Sequence, residues 1–303
     1  MADERTATVS DGRSVTGTGA VGASPAGAGD AARAPAASGG PRPRPAGSWL
    51  RRLRPGRPAS VRLVCLPHAG GWPGYFRPWS PLLPPYVEHL AVHYPGRESR
   101  GEEPCATRMD ELVDAVVEAL EPLRDLPLVL FGHSMGASVA HEVALRLQEA
   151  GAPPAHLVVS GRQSPTLRHV TSLHLTDDET FLAHIRQLGG IPDEVLDDAG
   201  LRDLVVGPLR SDYRLVELYE PTSTAPVEAP LTVMWGARDP HCSEEGALAW
   251  RDVAGQGFFP VTFPGGHFYL SEDRTGPVAR LARLLSAAAS SSPRHSALQE
   301  KHR

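Results

Sequence analysis

Leu128-Val129-Leu130-Phe131-Gly132-His133-Ser134-Met135-Gly136-Ala137 decides how this chain is read. Leu128 to Phe131 is a short apolar run that predicts a buried strand, and Ala137, Val139, Ala140, Val143, Ala144 and Leu147 then recur at helical spacing. Between them lies Gly132-x-Ser134-x-Gly136, the pattern of a nucleophile elbow. Glycines two positions either side of the serine let strand and helix approach closely. The turn pushes the Ser134 hydroxyl into a cleft, and the Met135 N–H at the helix N-terminus points where an oxyanion would be favoured. Glycine supplies 30 of 303 residues, so a bare Gly-x-Ser-x-Gly carries little weight here. A strand before it and a helix after it are the context that gives it meaning.

The ends of the chain differ from its middle. Residues 1–58 lack apolar periodicity and are dominated by Ala, Gly, Pro, Ser and Arg, as in Pro41-Arg42-Pro43-Arg44-Pro45. Such a segment buries too little apolar surface to offset its ordering entropy, so it is expected to be a disordered low-complexity tail. Arg51, Arg52, Arg54 and Arg57 form a basic run, read as a solvated, proline-broken stretch rather than a site for an anionic partner. Lys301 is the only lysine, so arginine clusters reflect general usage and argue poorly for nucleic-acid binding. The formal net charge of −5 points the same way. There is no signal-peptide h-region, and no stretch approaches the ~20 apolar residues of a membrane span. Cys65, Cys105 and Cys242 are odd in number and widely spaced, which fits neither a disulfide framework nor a metal site. Cys65 reads as a small buried hydrophobe. A cytoplasmic location is expected. Residues 59–289, about 230 in all, suffice for one large α/β domain, and residues 290–303 read as a frayed tail.

Taken in order, Val61 to Leu66 is the first strand and ends in Pro67-His68-Ala69-Gly70-Gly71. A small-residue loop after such a strand suits a second backbone oxyanion donor, Ala69 first and Gly70 next. His68 reads as a loop-shaping residue. A helical stretch follows from about Gly74 to Leu83, then a strand at Leu90 to Tyr94. Met109 to Leu123 reads as an amphipathic helix capped by Thr107 or Asp110. Leu157 to Gly161 is a further strand, and strands alternating with helices predict a doubly wound, mostly parallel sheet with helices on both faces. The alternation stops over residues 162–226, where helical patterns at Phe181 to Leu188 and Leu201 to Tyr219 suggest an inserted helical lid that excludes water and shapes a pocket. The sheet resumes at Leu231 to Trp235. Ser243 then caps a helix running to Ala254, Phe258 to Phe263 is the last strand, and Val278 to Ala287 closes the chain.

A serine hydroxyl is a weak nucleophile until a base takes its proton, and the base needs a third group to fix its tautomer. Ser134, Asp239 and His267 follow one another in that order, each after an apolar run. Gly265-Gly266 lets the last loop turn tightly so that His267 reaches back over the sheet. Asp239 before Pro240 also suits the start of a plain turn. Among the 13 histidines, His133 should pack away from the cleft, and His241 follows the acid too closely to be an independent base. Asp212 and Asp252 fall within helical runs and are poorer orienters than Asp239.

Several motifs together resemble one family. They are Leu66-Pro67-His68-Ala69-Gly70-Gly71, Tyr94-Pro95-Gly96-Arg97, Phe131-Gly132-His133-Ser134-Met135-Gly136-Ala137, Ser160-Gly161-Arg162, Asp212-Tyr213-Arg214 and Gly265-Gly266-His267-Phe268. From about Val61 to Leu285 the chain resembles the type II thioesterases, discrete α/β-hydrolases associated with polyketide and nonribosomal peptide synthesis. The resemblance implies hydrolysis of aberrant or stalled acyl thioesters from the phosphopantetheine arm of an acyl or peptidyl carrier protein. It implies Ser134 as nucleophile, His267 as base, Asp239 as its orienter and the Ala69 and Met135 N–H groups as oxyanion donors. Arg97 matches one of the motifs but has no evident catalytic job and is expected to be structural; the resemblance leans toward a monomer and implies no metal and no organic cofactor. Rival readings are an esterase or lipase acting on oxygen esters, an acyltransferase or cyclase, and a non-catalytic hydrolase-fold binding module. The last predicts a missing triad member, and none is missing.

Overall fold

The computed structural model of the chain describes residues 49–167 and 171–291. Seven strands form one sheet: β1 (Leu50–Arg54), β2 (Val61–Leu66), β3 (Val87–Val92), β4 (Leu128–His133), β5 (His156–Ser160), β6 (Leu231–Gly236) and β7 (Phe258–Phe263). Their order is β1-β3-β2-β4-β5-β6-β7. Only the β1–β3 pair is antiparallel. Strands β2, β3, β4, β5 and β6 are buried throughout, as continuous apolar runs of a two-faced parallel sheet should be.

Alternate residues of each strand enter opposite cores. Val64, Leu66, Leu130 and Val159 pack on one face against α1 (Met109–Leu120) and α2 (Met135–Glu149). Leu63, Cys65, Phe131 and Val158 pack on the other face. There they meet Phe76 and Trp79 of a 3₁₀ segment, Pro73–Leu82, and Leu281 and Leu285 of the closing helix. Between β5 and β6 the chain builds α3 (Asp178–Leu188), α4 (Asp193–Asp197) and α5 (Ala199–Glu217). Phe181, Leu182, Ile185, Leu196 and Leu209 give this insertion its own apolar cluster, against which Ala69 packs. After β6 come α6 (Glu244–Leu248), then α7 (Tyr269–Glu272) and α8 (Thr275–Ser290). No helix among the described residues is long and apolar enough to cross a membrane.

The strand order fixes where a site can form. β2 connects outward to β3 on one side, and β4 connects to β5 on the other. A crevice therefore opens beyond the carboxyl ends of β2 and β4, the switch point of an open α/β sheet. The Ala69 loop and Ser134 leave those two ends.

Several expectations need correction. The tail read as disordered to residue 58 contains β1, and residues 1–48 lie outside the described ones. The basic run is internal stapling. Arg54 donates to the carbonyls of Ser80, Leu83, Pro84 and Val87 at 2.5–3.3 Å, and Arg52 pairs with Glu88 at 2.6 Å. β3 begins three residues earlier than read, because Glu88 and His89 look polar yet are buried and partnered. Glu88 meets Arg62 at 2.6 Å and His89 meets Ser80 at 2.9 Å. α1 ends at Leu120 and a 3₁₀ turn covers Glu121–Leu123, since Pro122 cannot extend the ladder. Its N-cap is Arg108 without a side-chain bond, so neither Thr107 nor Asp110 caps it. Ser243 caps α6 as expected, accepting the Gly246 N–H at 3.0 Å, but the α-helix stops at Leu248 and continues as 3₁₀ to Val253. The closing helix extends at both ends beyond the Val278 to Ala287 reading, and residues 292–303 lie outside the described ones.

Candidate active site

Ser134 forms the elbow, with φ 54° and ψ −115°. A side chain in this region is strained and persists only where its surroundings hold it. Here its N–H is tied to the Ser160 carbonyl at 2.8 Å. A Cβ on Gly132 would overlap the Gly136 carbonyl, and one on Gly136 would overlap the Leu66 carbonyl. The motif glycines are thus required by the approach of helix to strand on both sides of the serine.

β6 and β7 deliver the other two members. The Asp239 carboxylate accepts His267 Nδ1–H at 2.9 and 3.0 Å, and also accepts the His241 backbone N–H at 2.8 Å. Both side chains are buried. With Nδ1 committed to the carboxylate, Nε2 is the nitrogen left to act as a base. A Cβ on Gly236 would overlap the Gly266 carbonyl, so these two loops touch because residue 236 lacks a side chain. Ser134, Met135, Ala69 and His267 all line one cavity of about 580 Å³. Its remaining wall includes Tyr213 and Val216 of α5. The four residues singled out from sequence therefore converge on one cavity, with Asp239 behind His267.

The oxyanion candidates separate. The Gly70 N–H donates to Asp212 Oδ2 at 2.7 Å. Among the described residues, the Ala69 and Met135 N–H groups have no acceptor in the protein. Met135 opens α2, where the helix dipole adds to the local positive potential.

The other histidines near the site are set apart by burial. Burial, with the nearby His267 charge next in weight, pushes His68 down to about 3. Burial likewise holds His133 well below the ordinary imidazole range, again with His267 second. Both are neutral packing residues at neutral pH. His133 Nδ1 pairs with Ser160 Oγ at 3.0 Å, and Ser160 Oγ pairs with the Tyr269 hydroxyl at 2.7 Å. This buried chain joins the residue before Ser134 to the residue two past His267. Ser160 and Tyr269 were not singled out for it, and a contact across 109 residues leaves no local pattern in the sequence. His241 lines the cavity with its ring 5.5 Å from that of His267. Among the described residues, no group of three or more His, Cys, Asp or Glu is placed to hold a metal ion.

Ser134, Asp239 and His267 lie on the loops after β4, β6 and β7 of a mostly parallel sheet, the order of positions that the α/β-hydrolases use. Within that class the chain belongs to the thioesterase family, whose thioesterase-domain model matches residues 61–287. It is 43% identical over 225 residues to thioesterase PikA5 of Streptomyces venezuelae, covering 74% of this chain and 80% of that one. It is 38% identical over 236 residues to a probable cadicidin biosynthesis thioesterase of Streptomyces griseus, covering 78% of this chain. The chain spans 65% of that relative's length, just under two thirds. Among solved structures it matches the type II thioesterase BorB from the borrelidin biosynthetic cluster. That match has a TM-score of 0.74 and 36% identity, covering 78% of this chain and 98% of that one.

Proposed function

We propose that the chain hydrolyses acyl groups from the phosphopantetheine thiol of carrier proteins in polyketide or nonribosomal peptide synthesis, removing stalled or aberrant chains. The observation that carries this reading is the buried Asp239–His267 pair behind an elbow serine, opening on a cavity large enough for an acyl chain. Membership of the thioesterase family, and relatives named as thioesterases, one of them of cadicidin biosynthesis, support the substrate class. The protein works as a cytoplasmic monomer, with an acyl or peptidyl carrier protein as its partner.

The chemistry runs in two halves. His267 Nε2 takes the Ser134 proton as Oγ attacks the thioester carbonyl. Asp239 holds the imidazolium in position. The Ala69 and Met135 N–H groups receive the developing oxyanion. The C–S bond breaks, and the pantetheine thiol leaves with the proton from His267. Water then gives a proton to His267 and attacks the acyl-serine, which releases the free acid and restores Ser134. Described residues of the insertion between β5 and β6, among them Leu173, Tyr213 and Val216, wall the cavity and keep bulk water from competing unproductively.

Mass spectrometry of an acyl-phosphopantetheinyl carrier protein incubated with the enzyme tests this. Wild type should remove the acyl mass, leaving free carrier thiol and free acid, while Ser134→Ala leaves the carrier loaded. A carrier that stays loaded across several acyl groups, while a simple oxygen ester is cleaved, would give the site to an esterase instead. A product ester or amide in place of the acid would give it to an acyltransferase.

A further inference from the structure

Asp212 and Arg97 do something that the triad does not require. Asp212 sits in α5, three residues after Leu209, so both lie on one helix face above the loop that follows β2. Leu209 comes so close that a Cβ on Gly70 would lie 2.7 Å from its Cδ1, and Gly70 itself adopts φ 73°. Asp212 Oδ2 accepts the Gly70 N–H at 2.7 Å and Arg97 Nη1–H at 2.6 Å, while Oδ1 accepts Arg97 Nη2–H at 2.8 Å. Arg97 also donates to the Gly71 carbonyl at 3.2 Å and, through Nε, to the Pro95 carbonyl at 3.3 Å. Asp212 is 3% exposed and Arg97 9%, so solvent screens the pair little.

These contacts restrain consecutive peptide planes. The Gly70 N–H is held by Asp212, the Gly71 carbonyl by Arg97, and the Gly71 N–H by the His68 carbonyl at 2.8 Å. The last of these fixes the peptide between His68 and Ala69. A trans planar peptide turns its N–H opposite to its carbonyl, so the Ala69 N–H faces away from the turn. Ala69 lines the cavity. An Ala-Gly-Gly stretch has almost no side chain with which to hold such an arrangement itself.

We propose that Asp212 and Arg97 form a positioning clamp that aims the Ala69 N–H, so that the oxyanion hole is complete only when the lid helix α5 is seated. This rests on the thioesterase reading above. Neither residue touches substrate. α5 carries Tyr213, Val216 and Glu217 on the cavity wall, so one element both closes the pocket and sets the oxyanion loop.

The test uses the full chain and an acyl-carrier substrate. Asp212→Ala should lower kcat by roughly 30- to 100-fold, the scale of a misaimed oxyanion donor, with KM changed by less than about threefold. Asp212→Asn keeps an oxygen for the Gly70 N–H and should recover part of the loss. A trifluoromethyl ketone analogue, which forms a tetrahedral adduct on the serine, should weaken by the same factor as kcat. A planar amide analogue of the substrate should bind unchanged. Equal weakening of both analogues would mean that the pair only holds the lid, and unaltered kcat would mean that the loop sets itself. Either result overturns the clamp. Should Asp212→Ala fail to fold, the paired Arg97→Met with Asp212→Leu variant replaces the ion pair by apolar volume, which buried sites commonly tolerate. The same readouts then apply. Ser134→Ala run alongside separates the two claims. Wild-type turnover that survives this change defeats the thioesterase mechanism, whereas Ser134-dependent turnover with unaffected clamp variants defeats the clamp alone.

Discussion

Ser134 adopts a backbone conformation that costs on the order of 1–3 kcal/mol, and the surrounding contacts must outweigh that cost. The Ser160 carbonyl and the close approach of Gly132 and Gly136 supply the restraint. Gly136→Ala would drive a methyl into the Leu66 carbonyl at the end of β2, where backbone on both sides leaves no room to relax. The expected outcome is loss of soluble folded protein, read by circular dichroism and size exclusion. A folded, active variant would mean that the elbow tolerates a wider approach of helix to strand. Asp239→Asn makes a different point. It keeps the shape and can present its amide to His267 Nδ1, which imposes the wrong tautomer. kcat should fall by about 10⁴-fold with the fold intact, and KM should change little. Pre-steady-state measurement should find acylation slowed, because the base rather than the pocket is impaired. Ser134, Asp239 and His267 stand out in the sequence because each carries a local signal: glycines around a serine, an acid after an apolar run, a histidine after paired glycines. Asp212 stands out in the sequence only as a motif residue and a poorer orienter than Asp239, because it falls within a helical run, and its partners at Gly70 and Arg97 lie 142 and 115 residues away. Arg97 is read from sequence as structural, and nothing local indicates that it holds Asp212 and the Gly71 carbonyl.

At the scale of elements, the lid is fastened from its own last turn. Glu217, near the end of α5, accepts the Thr171 hydroxyl at 2.5 Å, the Leu173 and His174 N–H groups at 2.8 and 3.0 Å, and His174 Nδ1 at 2.5 Å. Burial opposes ionisation of this carboxyl. The hydrogen bonds from Thr171, His174 and Leu173 outweigh it and hold the group below its ordinary range. Arg210 adds bonds to the Leu173, His174 and Thr176 carbonyls. Thr171, Leu173 and Glu217 all line the cavity, so this strap forms part of its wall. Glu217→Ala should therefore raise KM for acyl carriers by about tenfold while leaving kcat within about threefold, and should expose the 171–178 segment to limited proteolysis. The contrast with Asp212, where kcat moves and KM does not, separates the pocket wall from the oxyanion loop. An unchanged KM with the segment still protected would show that Arg210 suffices. The helical insertion itself was legible from the break in strand alternation. β1 was not, because its sequence, Leu-Arg-Arg-Leu-Arg, shows no clean alternation and lies beside proline-rich sequence. Its arginines satisfy carbonyls and Glu88 of neighbouring elements, a long-range use that composition hides. Removing residues 1–47 should leave kcat/KM as it is, whereas removing 1–58 takes away β1 and leaves the β3 edge unpaired. The longer deletion should lower the melting temperature and promote aggregation, both visible in a thermal scan with light scattering.

The whole molecule carries several histidines in its interior, and together they set its acid stability. Burial is the leading cause that takes His68 and His89 to about 3 and His156 to about 4, and it holds His133 well below the usual range. Each is placed as a neutral hydrogen-bonding or packing group: His156 Nε2 meets Thr232 Oγ1 at 2.8 Å, and His89 lies between Ser80 and Cys65. In the unfolded chain these groups titrate near 6.5. Between pH 6.5 and about 4 the unfolded state therefore binds protons that the native state does not. Stability rises with pH across that window, is fully present above about 6.5, and is lost as the pH falls toward 4. Carboxylates held low, such as Glu217, add their own loss only further down. The melting temperature should fall by about 10 °C or more between pH 7 and pH 5, well before general acid unfolding. His156→Gln, which keeps a hydrogen-bonding group beside Thr232 and cannot titrate, should make that fall shallower without changing turnover at neutral pH. Scanning calorimetry of both proteins at half-unit steps from pH 7.5 to 4.5 measures it. Parallel curves for variant and wild type would show that His156 is not held neutral in the fold. A flat wild-type curve would show that the buried histidines accept their protons inside the native structure, through openings of the sheet's packed faces.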